Sequence, residues 1–144
     1  MKTTFFAVLF VSLITGCSKS DTITNETSLE GSWAVTAISS NNAYDWDGDG
    51  DTETDIFGTY STCRRDIVLN FEQNGYGQTR QGCNAPWENM NWQLTNGNSR
   101  LNISFASGDI NLDITQFNDN TIRGNDEVTV NGQTVIIGYT LSRR

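Results

Sequence analysis

Residues 121–141 read TIRGNDEVTVNGQTVIIGYTL, and this stretch decides the fold. Asn131-Gly132 is typical of a type I′ turn, because both central positions of that turn need positive φ. A two-residue turn there pairs residues whose numbers sum to 263, so Val128 faces Val135 across a hairpin with one apolar side. Asp126 is the polar residue on that side, and the Gly-Asn pair before it predicts a β-bulge.

The same period of two continues back to Leu29, in runs of five to ten residues separated by asparagine and glycine. A second two-residue turn at Asn74-Gly75 would pair Phe71 with Gln78. One short helix is predicted around 54–60, after the first strand. The predicted inward residues are Trp33, Val35, Ala37, Ile67, Leu69, Phe71, Met90, Trp92, Leu94, Leu101, Ile103, Phe105, Ile110, Leu112 and Ile114.

The number and order of these strands predict how the sheet ends. Eight antiparallel strands joined in sequence hide their unpaired edges best by closing. We therefore predict an all-β fold, an eight-stranded antiparallel up-and-down barrel with one short helix after strand 1. Eight strands leave an interior that side chains fill or that admits one small ligand.

The amino-acid composition excludes several classes of function. The chain has 144 residues, 17 acidic and 9 basic residues and no histidine, which is one domain's worth of sequence. Missing histidine excludes serine–histidine and cysteine–histidine nucleophile pairs and imidazole zinc sites. The net charge of −8 argues against a nucleic-acid partner. We expect a monomer that is not an enzyme, since paired-carboxylate hydrolysis needs acids placed across a shaped cleft.

The N-terminus is typical of an export signal. Lys2 precedes an apolar run from Phe5 to Ile14, which is too short for a comfortable membrane span, and Gly16 stands directly before Cys17. Residues 13–17 resemble the lipobox of bacterial lipoproteins. That resemblance implies a signal peptide over 1–16 and a flexible tether over 17–28 that begins with lipidated Cys17. The folded domain would be 29–144, anchored to the outer membrane in the cell envelope, on its periplasmic or its outward face.

Two cysteines remain once Cys17 carries the lipid. Cys63 and Cys83 form an even pair in an oxidising compartment, which predicts a disulfide. Closing a loop of about twenty residues would stabilise the domain by about 3 kcal/mol. The two positions do not match the register of the Asn74-Gly75 hairpin, so the bridge is expected outside the regular ladder. A redox couple or metal site is the alternative, although no Cys-x-x-Cys spacing is present.

An acidic loop follows the first strand. Its spacing Asp-x-Asp-x-Asp-Gly is that of a calcium loop, in which alternate positions supply oxygen ligands. Position twelve is Ile56 where a bidentate glutamate is expected, and no long helices flank the loop. Calcium binding and a solvated loop with Asx turns both fit this pattern. The candidate ligands are Asp45, Asp47, Asp49, Asp51, Glu53 and Asp55.

Four further side chains are candidates for the rim of the barrel. Trp46 and Trp87 lie outside the predicted strands, where an aromatic ring suits sugar or lipid contact or packs a loop over the mouth. Arg64 and Arg65 would hold an anionic ligand group or pair with the acidic loop. Of these two roles, we expect ion pairing of the arginines with the acidic loop.

Three ordered features resemble a known family. These are the opening Leu29-Glu30-Gly31-Ser32-Trp33, the acidic Asp-Gly loop after strand 1, and the cysteine pair around the next hairpin. Over Leu29–Arg144 they resemble the lipocalin-like domains of bacterial lipoproteins. The resemblance implies that Trp33 plugs one end of the barrel under Arg143 or Arg144. It further implies a small hydrophobic or amphipathic ligand, or an envelope component, as partner. The alternative is a filled barrel that serves as a scaffold, with a calcium-ordered loop contacting protein or glycan.

Overall fold

The computed structural model describes residues 27–144. The predicted signal peptide, Cys17 and most of the tether lie outside this range. No helix in the described part is long and apolar enough to cross a membrane. The strands are β1 (Gly31–Tyr44), β2 (Glu53–Asp55), β3 (Ile67–Phe71), β4 (Tyr76–Gln81), β5 (Glu88–Thr95), β6 (Arg100–Phe105), β7 (Gly108–Phe117), β8 (Thr121–Val130) and β9 (Gln133–Arg143). The short helix α1 (Ile56–Thr59) follows β2, as predicted after the first long strand.

The strands form one antiparallel sheet that closes on itself. Its order is β1-β3-β4-β5-β6-β7-β8-β9, and β9 pairs back to β1. The predicted eight-stranded up-and-down barrel is therefore confirmed. The short strand β2 pairs with the far end of β1 and adds a ninth strand outside the closed ring.

The last hairpin has the predicted register. Val128 pairs with Val135 and Ile122 with Leu141, with no irregularity along the ladder. The bulge predicted before Asp126 is therefore wrong for this pair of strands. The irregularity lies instead in β7, between Ile114 and Gln116, where β7 pairs with β8.

Two local predictions about strand faces and register are corrected. A bulge between Val35 and Ala37 shifts β1, so Ile38 is buried and Ala37 is not. Sequence alternation alone does not reveal such a shift, because the inserted residue reverses the face of every residue after it.

At the other hairpin, Asn74 and Gly75 have the expected positive φ. Phe71 nevertheless pairs with Gly77 rather than Gln78. The Glu72 N–H donates to the Tyr76 carbonyl at 2.8 Å, which places one extra residue beside the turn.

One end of the barrel is sealed by Trp33. Its side chain is fully buried, and its indole N–H donates to the Leu29 carbonyl at 2.8 Å. The Arg143 guanidinium lies 4.4 Å from the centre of the indole ring. A Cβ at Gly31 would stand 2.7 Å from the Arg143 Nη1, so the glycine two residues before the tryptophan makes room for the arginine.

Arg143 also ties together the segments that meet at this end. Its guanidinium donates to the carbonyl of Ser28 at 2.6 Å and to that of Glu30 at 2.9 Å. A third bond reaches the Asp119 carbonyl in the β7–β8 turn. Arg143, and not Arg144, therefore covers the buried tryptophan.

We predict that Arg143→Met lowers the free energy of unfolding by about 2 kcal/mol, because charged hydrogen bonds to three carbonyls are lost. Urea unfolding followed by tryptophan fluorescence measures this loss. Arg144→Met is the matched control. The Arg144 side chain is 54% exposed and lies 3.6 Å from Asp66, so its removal should cost less than about 1 kcal/mol. Equal losses in the two variants would contradict the assignment.

Candidate functional site

A cavity of about 290 Å³ lies inside the barrel, at the end away from Trp33. Antiparallel order places the β6–β7 turn at that end, and residues on either side of the turn line the cavity. This volume is near the lower limit for ligand pockets and equals the space of roughly ten water molecules. The apolar lining consists of Val35, Ile38, Ile67, Leu69, Ile103, Phe105, Ile110, Leu112 and Leu141.

Five polar side chains share the lining: Tyr60, Arg64, Thr79, Gln81 and Tyr139. Thr79 is 1% exposed, and its hydroxyl already donates to the Val68 carbonyl at 3.2 Å. Burial, aided by the charge of Asp126, raises the pKa of Tyr139 to about 12. Tyr139 is therefore neutral at physiological pH and offers an O–H group to the cavity.

Arg64 supplies positive charge at the mouth. Its guanidinium lies 4.0 Å from the centre of the Tyr60 ring, a cation–π contact. Within residues 27–144, no carboxylate lies within ion-pairing distance of Arg64 or Arg65. The expected pairing of these arginines with the acidic loop is therefore not found in this range. Arg64 instead lines the cavity.

Arg65 has a different role. Its guanidinium donates to the carbonyls of Tyr60, at 2.8 Å, and Gly58, so it holds the end of α1 in place. At the start of the helix, the Asp55 carboxylate accepts the Gly58 N–H at 2.9 Å. Ile56 is buried in the core and fixes the helix to the barrel. These contacts position Tyr60, and through it Arg64, at the cavity.

The predicted disulfide joins Cys63 to Cys83, with Cα atoms 4.9 Å apart. The regular β3–β4 ladder ends at the pair Ile67 and Gln81, so the bridge lies outside it, as expected. It links the loop that carries Arg64 to the loop after β4. The bridge thereby restrains one side of the cavity mouth.

The two candidate rim tryptophans do not line the cavity. The Trp46 ring packs edge-on against Tyr44 at 5.5 Å, and its indole N–H donates to the Ser40 hydroxyl at 3.2 Å. Trp87 is 42% exposed, with the Arg80 guanidinium 5.3 Å from its ring centre. Arg80 follows inward-facing Thr79, so this contact is on the outer wall.

Asp126 lies where the pairing between β7 and β8 has ended. Pairing of β7 with β8 ends at Asp113 and Asn125, although β7 extends back to Gly108 and β8 on to Val130. Asp126 is 8% exposed beside this separation. Burial raises the pKa of its carboxyl, and the backbone N–H groups of Asn111 and Glu127 oppose the shift. The carboxylate thus takes the place of a missing strand partner.

The acidic loop brings three of its six candidate ligands together. Asp45, Asp47 and Asp49 can each place a carboxylate oxygen within 4.8 Å of the others. The Asp45 carboxylate also accepts the N–H groups of Gly48, at 2.6 Å, and Gly50, at 3.1 Å. The Asp47 carboxylate accepts the Asp49 N–H at 3.3 Å in an Asx turn. All of these side chains are exposed.

The remaining acids of the loop have other contacts. The Glu53 carboxylate accepts the Trp46 N–H at 3.0 Å, which closes the loop onto β2. Asp55 caps α1, and Ile56 at position twelve is buried in the core. The Asp51 N–H donates to the Asp49 carboxylate at 2.9 Å. The loop therefore has a three-carboxylate cluster without a bidentate closing ligand.

Sequence reasoning did not select Tyr60, Gln81 or Tyr139 as site residues. Alternation does place Tyr139 on the inward face of the last strand, and a hydroxyl there is a usable signal. Tyr60 and Gln81 lie at the end of α1 and of β4, respectively, where no pattern indicates which way they face.

We predict that stability falls as pH rises from 10 to 12, because Tyr139 ionises near its ordinary value of 10.0 in the unfolded chain and near 12 in the folded one. The unfolded state then binds fewer protons, and the loss reaches at most about 2–3 kcal/mol. Urea unfolding at several pH values should show a smaller loss in Tyr139→Phe. The exposed-hydroxyl control Tyr76→Phe should keep the wild-type slope, and a wild-type slope in Tyr139→Phe would contradict the assignment.

Comparison with known families matches residues 14–141 to the family described as a domain of unknown function (DUF5004). No curated protein matches the chain. The family match covers most of the sequence, including every strand except the last residues of β9. The chain therefore belongs to the DUF5004 family.

Proposed function

We propose that this protein is a lipid-anchored envelope lipoprotein whose lipocalin-like barrel reversibly binds a small amphipathic molecule with an anionic head. The observation that carries the proposal is the apolar cavity with Arg64 at its mouth. A barrel whose interior was filled by side chains would favour the alternative function, a scaffold, but this barrel has a cavity. The Gly31-Ser32-Trp33 opening, with Arg143 over the tryptophan ring, supports the lipocalin-like reading.

The lining supports an apolar body for the ligand. Nine of the fourteen lining residues are aliphatic or phenylalanine side chains. Each CH₂ group transferred from water to such surroundings contributes about 0.8 kcal/mol. A methylene group takes up about as much space as a water molecule, so the cavity suits a chain of roughly ten carbons.

The polar residues at the mouth support an anionic head. Arg64 is a permanent cation without an ion-pair partner in the described part of the chain. The Tyr139 hydroxyl and the Gln81 amide add neutral donors. No carboxylate is among the lining residues, and buried Asp126 acts on the cavity only through its charge on Tyr139.

The same set of groups supports binding rather than catalysis. The titratable residues in the lining are Tyr60, Arg64 and Tyr139, and the raised pKa of Tyr139 keeps its proton in place at neutral pH. General-base catalysis needs a group poised near the working pH. The carboxylates of the acidic loop are exposed and outside the lining.

The anchor rests on the sequence. Cys17 after a small residue and an apolar run supports lipidation, and 17–28 would tether the barrel to the outer membrane. The chain enters β1 at the Trp33 end of the barrel, and a fully extended tether of that length would keep this end within about 40 Å of a membrane surface, where amphipathic molecules are concentrated.

The test compares two ligands with the same chain and opposite heads. Decanoate and decyltrimethylammonium each compete with the fluorescent probe 1-anilinonaphthalene-8-sulfonate for the full chain in aqueous buffer. We expect decanoate to displace the probe and the cation to displace it at least tenfold less effectively, because Arg64 attracts one head and repels the other.

Two variants locate the binding. Arg64→Gln should weaken decanoate about tenfold, whereas Arg123→Gln on the outer wall should leave it unchanged. Ile110→Trp fills the cavity and should abolish displacement. Equal binding of both heads would overturn the anionic specificity, and undiminished binding in Ile110→Trp would overturn the cavity as the site.

A calcium-ordered acidic loop is the second candidate function. It is favoured by the convergence of Asp45, Asp47 and Asp49 within 4.8 Å, since hard oxygen ligands at this spacing suit calcium. With Glu53 and Asp55 engaged elsewhere, the remaining ligands would be the exposed Asp51 carboxylate, backbone carbonyls and water. Such a site binds weakly, and its effect would be to order the loop beside the cavity mouth.

We predict that millimolar calcium raises the melting temperature of the full chain by a few degrees, because a ligand that binds only the folded state stabilises it. The replacement of Asp45, Asp47 and Asp49 by Asn should remove this shift. Asp109→Asn, an exposed acid on β7, is the control and should keep it. A wild-type melting temperature that is the same in calcium and in chelator would rule the site out.

A further inference from the structure

The outer wall of the barrel carries a patch of uncharged polar side chains around one tyrosine. Tyr76 on β4 pairs with Asn91 on β5, which pairs in turn with Ser104 on β6. One row away, Gln93 pairs with Asn102. Paired residues point to the same side of a sheet, and successive residues point to opposite sides. Because the neighbouring positions Met90, Leu101 and Ile103 are buried inside the barrel, these paired residues face outward. We call Tyr76, Asn89, Asn91, Gln93, Asn102 and Ser104 the amide patch.

Tyr76 is the most exposed of the large hydrophobic side chains in the described residues, at 62%. Its backbone is nevertheless held firmly. The Trp92 indole N–H donates to the Tyr76 carbonyl at 2.6 Å and to the Glu72 carbonyl at 3.1 Å. A Cβ at Gly75 would stand 2.8 Å from the Trp92 carbonyl oxygen, so the turn packs closely against β5. The ring is therefore presented to solvent from a fixed backbone.

Two shallow grooves flank the Tyr76 ring. The larger, of about 590 Å³, extends over Asn91, Gln93, Asn102 and Ser104. The smaller, of about 440 Å³, lies on the other side over Asn89 and Asn91. Tyr76 lines both grooves. The arrangement is an aromatic ridge between two depressions, and six of the fourteen residues that line them carry side-chain amides.

The hydrogen-bonding groups of the amide patch are largely free. Gln78 donates to Asn89 at 3.5 Å, and no other side-chain hydrogen bond of the patch is found within residues 27–144. Each amide offers two donor hydrogens and one acceptor oxygen, and the serine offers one of each. Such mixed groups match the hydroxyls of a sugar, which both donate and accept.

The lack of charged side chains in the amide patch favours a neutral sugar over charged partners. The amide patch has no ionisable group other than the phenol, although the chain as a whole has a net charge of −8. The acidic residue Glu72 lines the smaller groove and repels anions. A neutral ligand with an apolar face and many hydroxyls fits this field better than a nucleic acid, an anionic glycan or an acidic peptide.

We propose that the amide patch is a binding site for a neutral polysaccharide or oligosaccharide. One sugar ring lies against Tyr76, because the partly positive C–H hydrogens of a sugar face meet the negative face of the aromatic ring. Adjacent sugars extend into the two grooves and exchange hydrogen bonds with Asn91, Gln93 and Asn102. This site is on the outer wall, separate from the interior cavity, and it does not depend on the ligand of that cavity.

The test is native gel electrophoresis of the full chain through gels that contain one polysaccharide each. The neutral probes are a β-glucan, a mannan, a xylan and dextran, and the anionic probes are polygalacturonate and heparin. We expect at least one neutral polysaccharide to retard the protein. Tyr76→Ala should weaken that retardation roughly tenfold, the size of one stacking contact.

Control variants separate the amide patch from other surfaces. The double replacement Asn91→Ala and Gln93→Ala should also weaken retardation, whereas Ile136→Ala, an exposed apolar residue on β9, should not. Circular dichroism confirms that each variant is folded. No retardation by any neutral probe, retardation by anionic probes alone, or retardation that survives Tyr76→Ala would each overturn the proposal. Concentration-dependent dimerisation that Tyr76→Ala abolishes would make the patch a self-association surface and overturn it as well.

Discussion

The contact between Arg143 and Trp33 is the constraint on which the rest of the structure depends. Trp33 lies at the start of β1 and Arg143 at the end of β9, so the contact joins the first and last strands of the barrel. The guanidinium also holds the carbonyls of Ser28 and Glu30, which fixes the segment that enters β1. A meander without this closure would leave two unpaired edges.

Sealing one end determines what the other end can do. The indole fills one end, and the cavity lies toward the other, where Tyr60 after α1 and Arg64 in a disulfide-linked loop line it. Positive charge at that mouth comes from Arg64, while the acidic loop and Asp126 lie outside the cavity lining. The barrel thus has an apolar interior with a polar entrance, and its outer wall carries a second, uncharged surface around Tyr76.

Much of this fold was predictable because β-structure follows local alternation. The Asn131-Gly132 turn sets the register of the longest hairpin, and the closed meander follows from eight such runs. The errors occurred where one residue is inserted. The bulge before Ala37 reverses a face, and the extra residue beside Asn74-Gly75 shifts a ladder, because no local signal marks either insertion. The cavity was not predictable, since inward residues such as Leu112 look the same whether they touch each other or a ligand.

The site was predictable only in part, for a similar reason. The cysteine pair could be predicted once Cys17 was set aside for the lipid in an oxidising compartment, and its position outside the ladder could be predicted from register. Adjacent Arg64 and Arg65 have different roles. Arg64 lines the cavity, whereas Arg65 donates to the Tyr60 carbonyl at the end of α1, and this difference depends on tertiary packing that the sequence pattern does not reveal. Trp46 and Trp87 lie in loops, and their contacts with Ser40, Tyr44 and Arg80 depend on how each loop folds back onto a strand, which alternation does not predict.

The central claim is that the cavity holds a molecule from the envelope. Native mass spectrometry of the full chain, purified gently from the cells in which it is made, tests this directly. The account predicts a bound species of the mass of a small amphipathic anion in the wild type and its absence in Ile110→Trp. A wild-type spectrum with no non-covalently bound species, or a species that Ile110→Trp retains, would contradict it.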